Sequence, residues 1–347
     1  MNPPLTRPVI YVREALPPDA PFLIEAAGTS NFKTLNFPET VSALSVKIRK
    51  SQQSFRGAIA DPGQQEFLFT VLSETGERAV PVGTSTFFPK HRTPEKPHHA
   101  YRVHESYLEF VEETDGPAEV GGMIVHKEYQ GGGYGRVGSW VRFFWTTMPE
   151  NRELFRGGRC LTEFLPDLED RDETGSRTNP FYEAVGKIYL QAPYDKMDKA
   201  TAEDHTLLKR LPRRIDLSDL PEEARKVIGQ VGKGPQKAAP LLVKLGFKPN
   251  GQIDPLDGGP HYVGLFDENP IFTGARNLYF EGVEEGTGER DDWLYGFLGL
   301  HHSKGTPRFE ACAAPFRIEE GRVKTTLEAA EKLKLDEKKK VTVSPFP

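Results

Sequence analysis

Residues 120–145 read VGGMIVHKEYQGGGYGRVGSWVRFFW: an apolar run, a cluster of glycines, and then a segment with helical periodicity. A glycine cluster where a strand passes into a helix presents bare backbone amides to an anion, and the helix N-terminus behind it adds a favourable dipole. Two motif templates cover the same residues. Gly133 to Gly138 satisfies G-x-G-x-x-G, but a dinucleotide fold places that motif after its first strand, with an acidic residue about 20 positions on at a strand end. Here the motif comes a third of the way along the chain, and Glu163 lies too far on and in mid-strand. Gln130-Gly131-Gly132-Gly133-Tyr134-Gly135 satisfies Q-x-x-G-x-G, a turn in which positions without side chains let the backbone wrap two phosphates. Glycines in such number lose more backbone entropy on folding than other residues, a cost that a turn without a ligand does not explain.

The 347 residues leave room for one large domain or two ordinary ones, and an apolar content of 37% with 10% aromatics suffices for a globular core. A formal charge of -5 argues against nucleic acid or an anionic membrane surface as the main partner. The densest basic run, KKK at 338–340, reads as a solvated turn. Cys160 and Cys312 are far apart and in no zinc spacing, which excludes a disulfide framework and fits a reducing compartment. No run approaches the ~20 apolar residues of a membrane span, and MNPPLTRPVIYV lacks the apolar core of a signal peptide. A soluble, cytoplasmic protein is expected. NLYFEG at 278–283 resembles a protease tag site but reads as native sequence.

Along the chain, VIYVREA (9–15) reads as a strand and PPDAPFLIEAAG as a helix stopped by Gly28. ETVSALSVKIRKSQQSF reads as an amphipathic helix with a basic outer face, and EFLFTVLSETGERAVPVGTSTFF as a hairpin. The Pro- and His-rich residues 89–105 read as a loop. SYLEFVEE, VGGMIV and CLTEFLP follow as strands, with GSWVRFFW as the helix after the glycine turn. DLPEEARKVIGQV reads as a helix capped at Asp219. PFYEAVGKIYL and QKAAPLLVKLGFKPNG share a helix–Gly–strand pattern, a hint of internal duplication, and 306–347 reads as a β-rich unit with one helix, TTLEAAEKLKL. The class is therefore α+β.

The Q-x-x-G-x-G turn resembles the pyrophosphate loop of the GNAT-type N-acyltransferase superfamily, which holds acyl-coenzyme A. More specifically, the chain resembles the arginine N-succinyltransferase family. The residues that carry this are VREALPPDAPFLIEAA, VGGMIVHKEYQGGGYG, NPFYEAVGKIY, KVIGQVGKGPQKAAPLLVKLGFKPNGQIDPLDGGP and FRIEEGRVKTTLEAAEKLKL. The resemblance implies a GNAT-type fold, a mixed central sheet flanked by helices, over residues 1–265 with a small C-terminal β-rich region at 266–347. It implies transfer of succinyl from succinyl-CoA to the α-amine of arginine during arginine catabolism, directly within a ternary complex. It also implies assembly as a homo- or hetero-oligomer with a similar chain; no metal is assigned, on the adjacency of the paired histidines. The family residue that contacts succinyl-coenzyme A falls on Met123, and the pyrophosphate loop on Gln130, Gly131, Gly132, Gly133, Tyr134 and Gly135. A family histidine proposed as proton donor falls on Gly232. A subunit that binds coenzyme A without catalysing transfer, and an acyltransferase with another donor or acceptor, are the alternatives.

Acyl transfer from a thioester needs a neutral amine, donors for the tetrahedral oxyanion, and a proton for the thiolate. The amides around Met123 and Ile124, with Val125 completing the strand end, are the expected oxyanion and coenzyme contacts. Glu163, a carboxylate in an apolar run, is a candidate base or guanidinium partner, or else points to solvent. Tyr182 stands where related acyltransferases place a thiolate-protonating tyrosine, though a core aromatic fits the same helix. His126, His205 and Asp257 are weaker candidates. His98-His99 and His301-His302 are adjacent pairs, and strand neighbours do not share one metal from one face.

Overall fold

Period-two alternation in IYVRE turns Ile10, Val12 and Glu14 to the buried side of the first strand, β1 (Ile10–Glu14). A computed structural model describes residues 7–29, 37–75, 78–169, 175–284 and 292–347. After β1 come α1 (Ala20–Thr29) and α2 (Val41–Phe55), then β2 (Phe67–Thr75) and β3 (Arg78–Phe88). Thr40 caps α2, its hydroxyl accepting from the Ala43 amide at 3.2 Å, and Leu44, Ile48, Ser51 and Phe55 form the buried face. Lys47 and Lys50 on the other side lie 3.8 and 3.9 Å from Glu66. Gly28 does not stop α1, which continues through it to Thr29. The hairpin turn at 76–77 lies outside the described residues.

The stretch read as a loop at 89–105 contains β4 (His98–Val103), paired antiparallel with β5 (Tyr107–Glu113) along its whole length. Then follow β6 (Ala118–Val125), α3 (Tyr134–Thr146) and β7 (Arg159–Glu163). PFYEAVGKIYL is not helix and strand but two short helices, Pro180–Ala184 and Gly186–Leu190, so the pattern it shares with residues 236–251 is not repeated in structure. Asp219 does not cap the helix Glu222–Val227, which starts from Pro221 with no side-chain cap. The remaining strands are β8 (Arg214–Asp216), β9 (Lys248–Ile253), β10 (Pro260–Leu265), β11 (Arg276–Val283), β12 (Leu294–His301), β13 (Phe309–Glu319), β14 (Arg322–Thr325) and β15 (Lys340–Pro345).

These strands join in the order β12-β15-β11-β14-β13-β1-β2-β3-β6-β7-β10-β9-β4-β5-β8, and β12 also pairs with β13. The last five strands thereby close into a barrel around Phe280, Leu298, Phe316, Val323 and Val343, with the helix Leu327–Lys332 packed on that core. NLYFEG lies within β11 of this barrel. β1 hydrogen-bonds to β2 on one side and to β13 on the other, so barrel and remaining sheet are continuous. α3 is buried all round from Val137 to Thr146, as befits a helix enclosed by other elements. Its Trp145 packs on Phe67 of β2 (ring centroids 4.1 Å apart) and its Phe144 stacks on Phe297 of the barrel (4.8 Å). Both cysteines are buried and free. No helix among the described residues is long and apolar enough to cross a membrane.

Candidate active site

β6 and β7 run parallel and pair only at Ala118–Cys160 and Glu119–Leu161. Beyond that point β6 stays on β3 while β7 pairs with β10, so the two strands part. At the parting, Gly122 and Met123 of β6 stand opposite the single Ser85 of β3, a bulge of the kind that re-aims backbone groups. Gly122 takes φ 57, and a Cβ there would come 2.9 Å from Thr86 Oγ1. Farther on, the His126 amide donates to the Val82 carbonyl at 2.8 Å. By strand alternation the backbone groups of Ile124 face β3 as well, and those of Met123 and Val125 face the parted side. The expected contacts Met123, Ile124 and Val125 thus lie on the stretch of β6 that no longer pairs with β7, with the Ile124 backbone turned to β3. Arg142, buried on α3, donates from Nη1 to the Gly121 carbonyl at 3.4 Å and ties the helix to the bulge.

The glycine turn opens outward. Gln130, Gly131 and Gly132 are exposed, and Gly133 to Arg136 are half-buried. Gly131 and Gly133 hold φ 92 and 91, the left-handed region that glycine enters without steric cost. Gly133 caps α3 with no side-chain acceptor, so the first-turn amides of Tyr134, Gly135 and Arg136 have no intrahelical partner. Space above Gly131 is open, and Gly135 faces the Met123 methyl 3.6 Å from where a Cβ would stand. The Tyr134 hydroxyl lies 2.8 Å from that of Ser73. Arg136, held over Trp140 and Phe346, supplies a cation beside the turn.

On the other side of the bulge a pocket of about 550 Å³ is bordered by Gly121, Gly122, Glu119 and Glu163. His91 Nε2 and Glu119 Oε2 are 2.7 Å apart without hydrogen-bond alignment. Burial pushes His91 down to about 3 and Glu119 up to about 7, so both partners are neutral between those two values. Arg92, with φ 76 (rare for a residue with a side chain), brings Nη1 to 3.4 Å from His205 Nε2. Three carboxyls line the far wall. Burial, with the neighbouring Asp257 charge, raises Asp254 well above its usual range. Burial likewise lifts Asp257 to about 6 and Asp198 to about 7. Asp257 accepts from the Tyr194 hydroxyl and the Gly259 amide, each at 2.8 Å, which fixes the DGGP turn.

Glu163 lines this pocket with its side chain 32% exposed. Directly across the β7–β10 ladder is His261, and His98 of β4 stands on the other side of the same carboxylate. Neither ring nitrogen of His98 or His261 has a hydrogen-bond partner, and each such buried group costs about 1–3 kcal/mol if nothing occupies it. Tyr182 is not at the site: it is fully buried, edge-on to Tyr194, and donates its hydroxyl proton to the Ala192 carbonyl at 2.8 Å. This corrects the expected proton donor to a core aromatic. His126 serves the start of the turn, accepting from the Glu128 amide. At Gly232 a Cβ would lie 2.4 to 2.6 Å from backbone atoms of Pro166 and Asp167. The Gly232 amide donates to the Leu165 carbonyl at 3.0 Å, so two backbones meet at this position.

His91, Arg92, Glu119, Asp198 and Asp254 were not evident from sequence, because the pocket gathers them from four separate segments; His261, buried behind Glu163, was not evident either. The His-rich stretch 91–104 and the Asp-x-x-Asp spacing before Gly258 were the available signals.

A family profile described as "Arginine N-succinyltransferase beta subunit" matches residues 10–269. The arginine N-succinyltransferase subunit beta of Pseudomonas aeruginosa is 26% identical over 356 aligned positions, covering 97% of this chain and 98% of that protein. The arginine N-succinyltransferase of Photorhabdus laumondii is 29% identical over 241 positions, covering 65% of this chain and 67% of that protein. Among solved structures, arginine/ornithine succinyltransferase subunit AI from Pseudomonas aeruginosa superposes with a TM-score of 0.77 at 21% identity, covering 97% of this chain and 98% of that one. That likeness shares the mixed α and β architecture. With three quarters of its length matched by the profile, the chain belongs to the arginine N-succinyltransferase beta subunit family.

Proposed function

We propose that this chain transfers the succinyl group of succinyl-coenzyme A to the α-amine of arginine, on a GNAT-type core. The observation that carries the reading is the parting of β6 from β7 beside an exposed, side-chain-poor turn. The names of the relatives supply the donor and acceptor. In this reading the amides of Gly131 to Arg136 hold the diphosphate, and the pantetheine arm runs along the free edge of β6. The amides of Met123 and Val125 receive the thioester oxygen as it becomes an oxyanion. Asp198, Asp254 and Asp257 offer a carboxyl wall to the guanidinium, whose charge favours their ionised forms. Arg92 pairs with the α-carboxylate. Glu163 takes the proton of the incoming ammonium, the neutral amine attacks the carbonyl carbon, the C–S bond breaks, and the extra proton left on the nitrogen passes to the departing thiolate. Two buried, unpaired thiols fit a cytoplasmic setting.

The test is thiol release by the purified chain with succinyl- or acetyl-coenzyme A against a panel of amino acids. Release with succinyl-coenzyme A that depends on arginine supports the reading; background release across the panel contradicts it. A second reading, favoured by the side-chain-free packing at Gly232, is a subunit that binds coenzyme A and works beside a similar chain. Relatives named subunit beta and subunit AI support an assembly. Coenzyme A raising the melting temperature of a chain that releases no thiol alone would select it.

A further inference from the structure

Three strands bring together a set of donors that the transfer reaction does not call for. His261 of β10 and Glu163 of β7 are direct cross-strand partners, so their side chains share a face. The register between β9 and β10 breaks at His261, and His98, at the start of β4, reaches the same face from two strands away. Glu163 Oε1 lies 3.7 Å from His98 Nδ1 and 3.8 Å from His261 Nε2, and the two imidazole centroids are 5.0 Å apart. One donor atom from each residue falls within 4.8 Å of the others. Tetrahedral ligands at zinc bond lengths stand about 3.4 Å apart, so the two carboxylate–imidazole spacings are already close to ligand spacing, and closure of the whole set around one ion draws the donors together by about 1 Å.

We propose that His98, Glu163 and His261 form a binding site for a divalent transition ion of the zinc class. Two features separate this cluster from a chance meeting of polar groups. The side chains of His98 and His261 are 4% and 0% exposed, and all four ring nitrogens lack a hydrogen-bond partner. The imidazole pair selects zinc, cobalt or iron over magnesium and calcium. Arg92 and His91 are the cationic or protonatable groups acting on the two rings, and they oppose an ion. Glu163 is the carboxylate that faces both rings, and Asp198, Asp254 and Asp257 lie close enough to feel its charge. The partly exposed Glu163 is the entry side. Adjacency of His98 and His99 is no obstacle, since His99 turns away to Glu112 at 3.0 Å.

The experiment is calorimetric titration of the chelator-treated full chain with Zn²⁺, and with Co²⁺ followed by visible absorption, in the absence of any substrate. One equivalent is expected to bind, with affinity falling at least ~10-fold in His98→Asn and in His261→Asn. Should either variant fail to fold, X-ray absorption of the Zn²⁺-loaded parent decides, with two imidazoles and one carboxylate expected around the ion. No binding by the parent, unchanged affinity in folded variants, or fewer than two imidazoles at the ion would each overturn the proposal. Because no substrate is present, such a failure leaves the transfer reading standing, and failure of transfer leaves the metal result standing.

Discussion

At position 232 the backbone of one segment lies against the carbonyl of Pro166, and a single methyl would have nowhere to go. Gly232→Ala is expected to destabilise the protein by about 1–3 kcal/mol in urea unfolding, and Gly232→His by at least as much without gaining activity. A histidine variant as stable as the parent would show that the segment can withdraw. Glu119 gives a second residue-scale test. Its carboxyl titrates near 4.5 when unfolded and about 7 when folded, because burial disfavours the charge. Between these values the folded chain keeps a proton that the unfolded chain has lost, so stability falls as pH rises through the window. Glu119→Gln removes that loss. Its melting temperature should match the parent near pH 4 and exceed it above about pH 7, by a difference on the order of 3 kcal/mol. A gap that does not widen with pH would mean that the His91 contact, not burial, governs this carboxyl.

The elements on either side of the parted strands behave differently under substitution. Gly122 sits in the bulge with φ 57 and Thr86 behind it, whereas Gly133 sits at the start of α3 with φ 91. Gly133→Ala should cost roughly 1 kcal/mol of stability through its left-handed backbone. It should also weaken coenzyme A binding in calorimetry; an unchanged dissociation constant would place the diphosphate elsewhere. Most of these elements are legible in the sequence, because period-two runs and the α2 and α3 patterns are local signals. β4 is not, since its HHAYRV run is polar and lacks period-two alternation, and beyond its hairpin partner β5 the contacts that enclose it (Gln252, Glu163) are distant in sequence. KIYL was misread for a related reason. A short apolar run is ambiguous between strand and helix, and here Gly186 packs under the Tyr182 ring and Gln191 ends the turn with φ 55. Glycines and turn residues announced the side of the site to which the proposed function assigns the coenzyme. The acceptor side depends on long-range register, which no local window contains.

Across the whole molecule, β1 is held between β2 and β13, and α3 between the sheet and barrel residues Phe297 and Phe309. Residues 1–265 expressed alone should therefore fail to unfold cooperatively, since β1 would lose a partner strand and α3 a buried face; a sharp thermal transition by circular dichroism would instead mark them as an independent domain. The account as a whole turns on the exposed amides behind Gln130. Hydrogen exchange by mass spectrometry, with and without succinyl-coenzyme A, reads those amides directly. Protection concentrated at 131–137 with the full coenzyme, and absent with a pantetheine lacking the diphosphate, is the predicted result. Protection confined to other segments, or equal protection by both compounds, would contradict it.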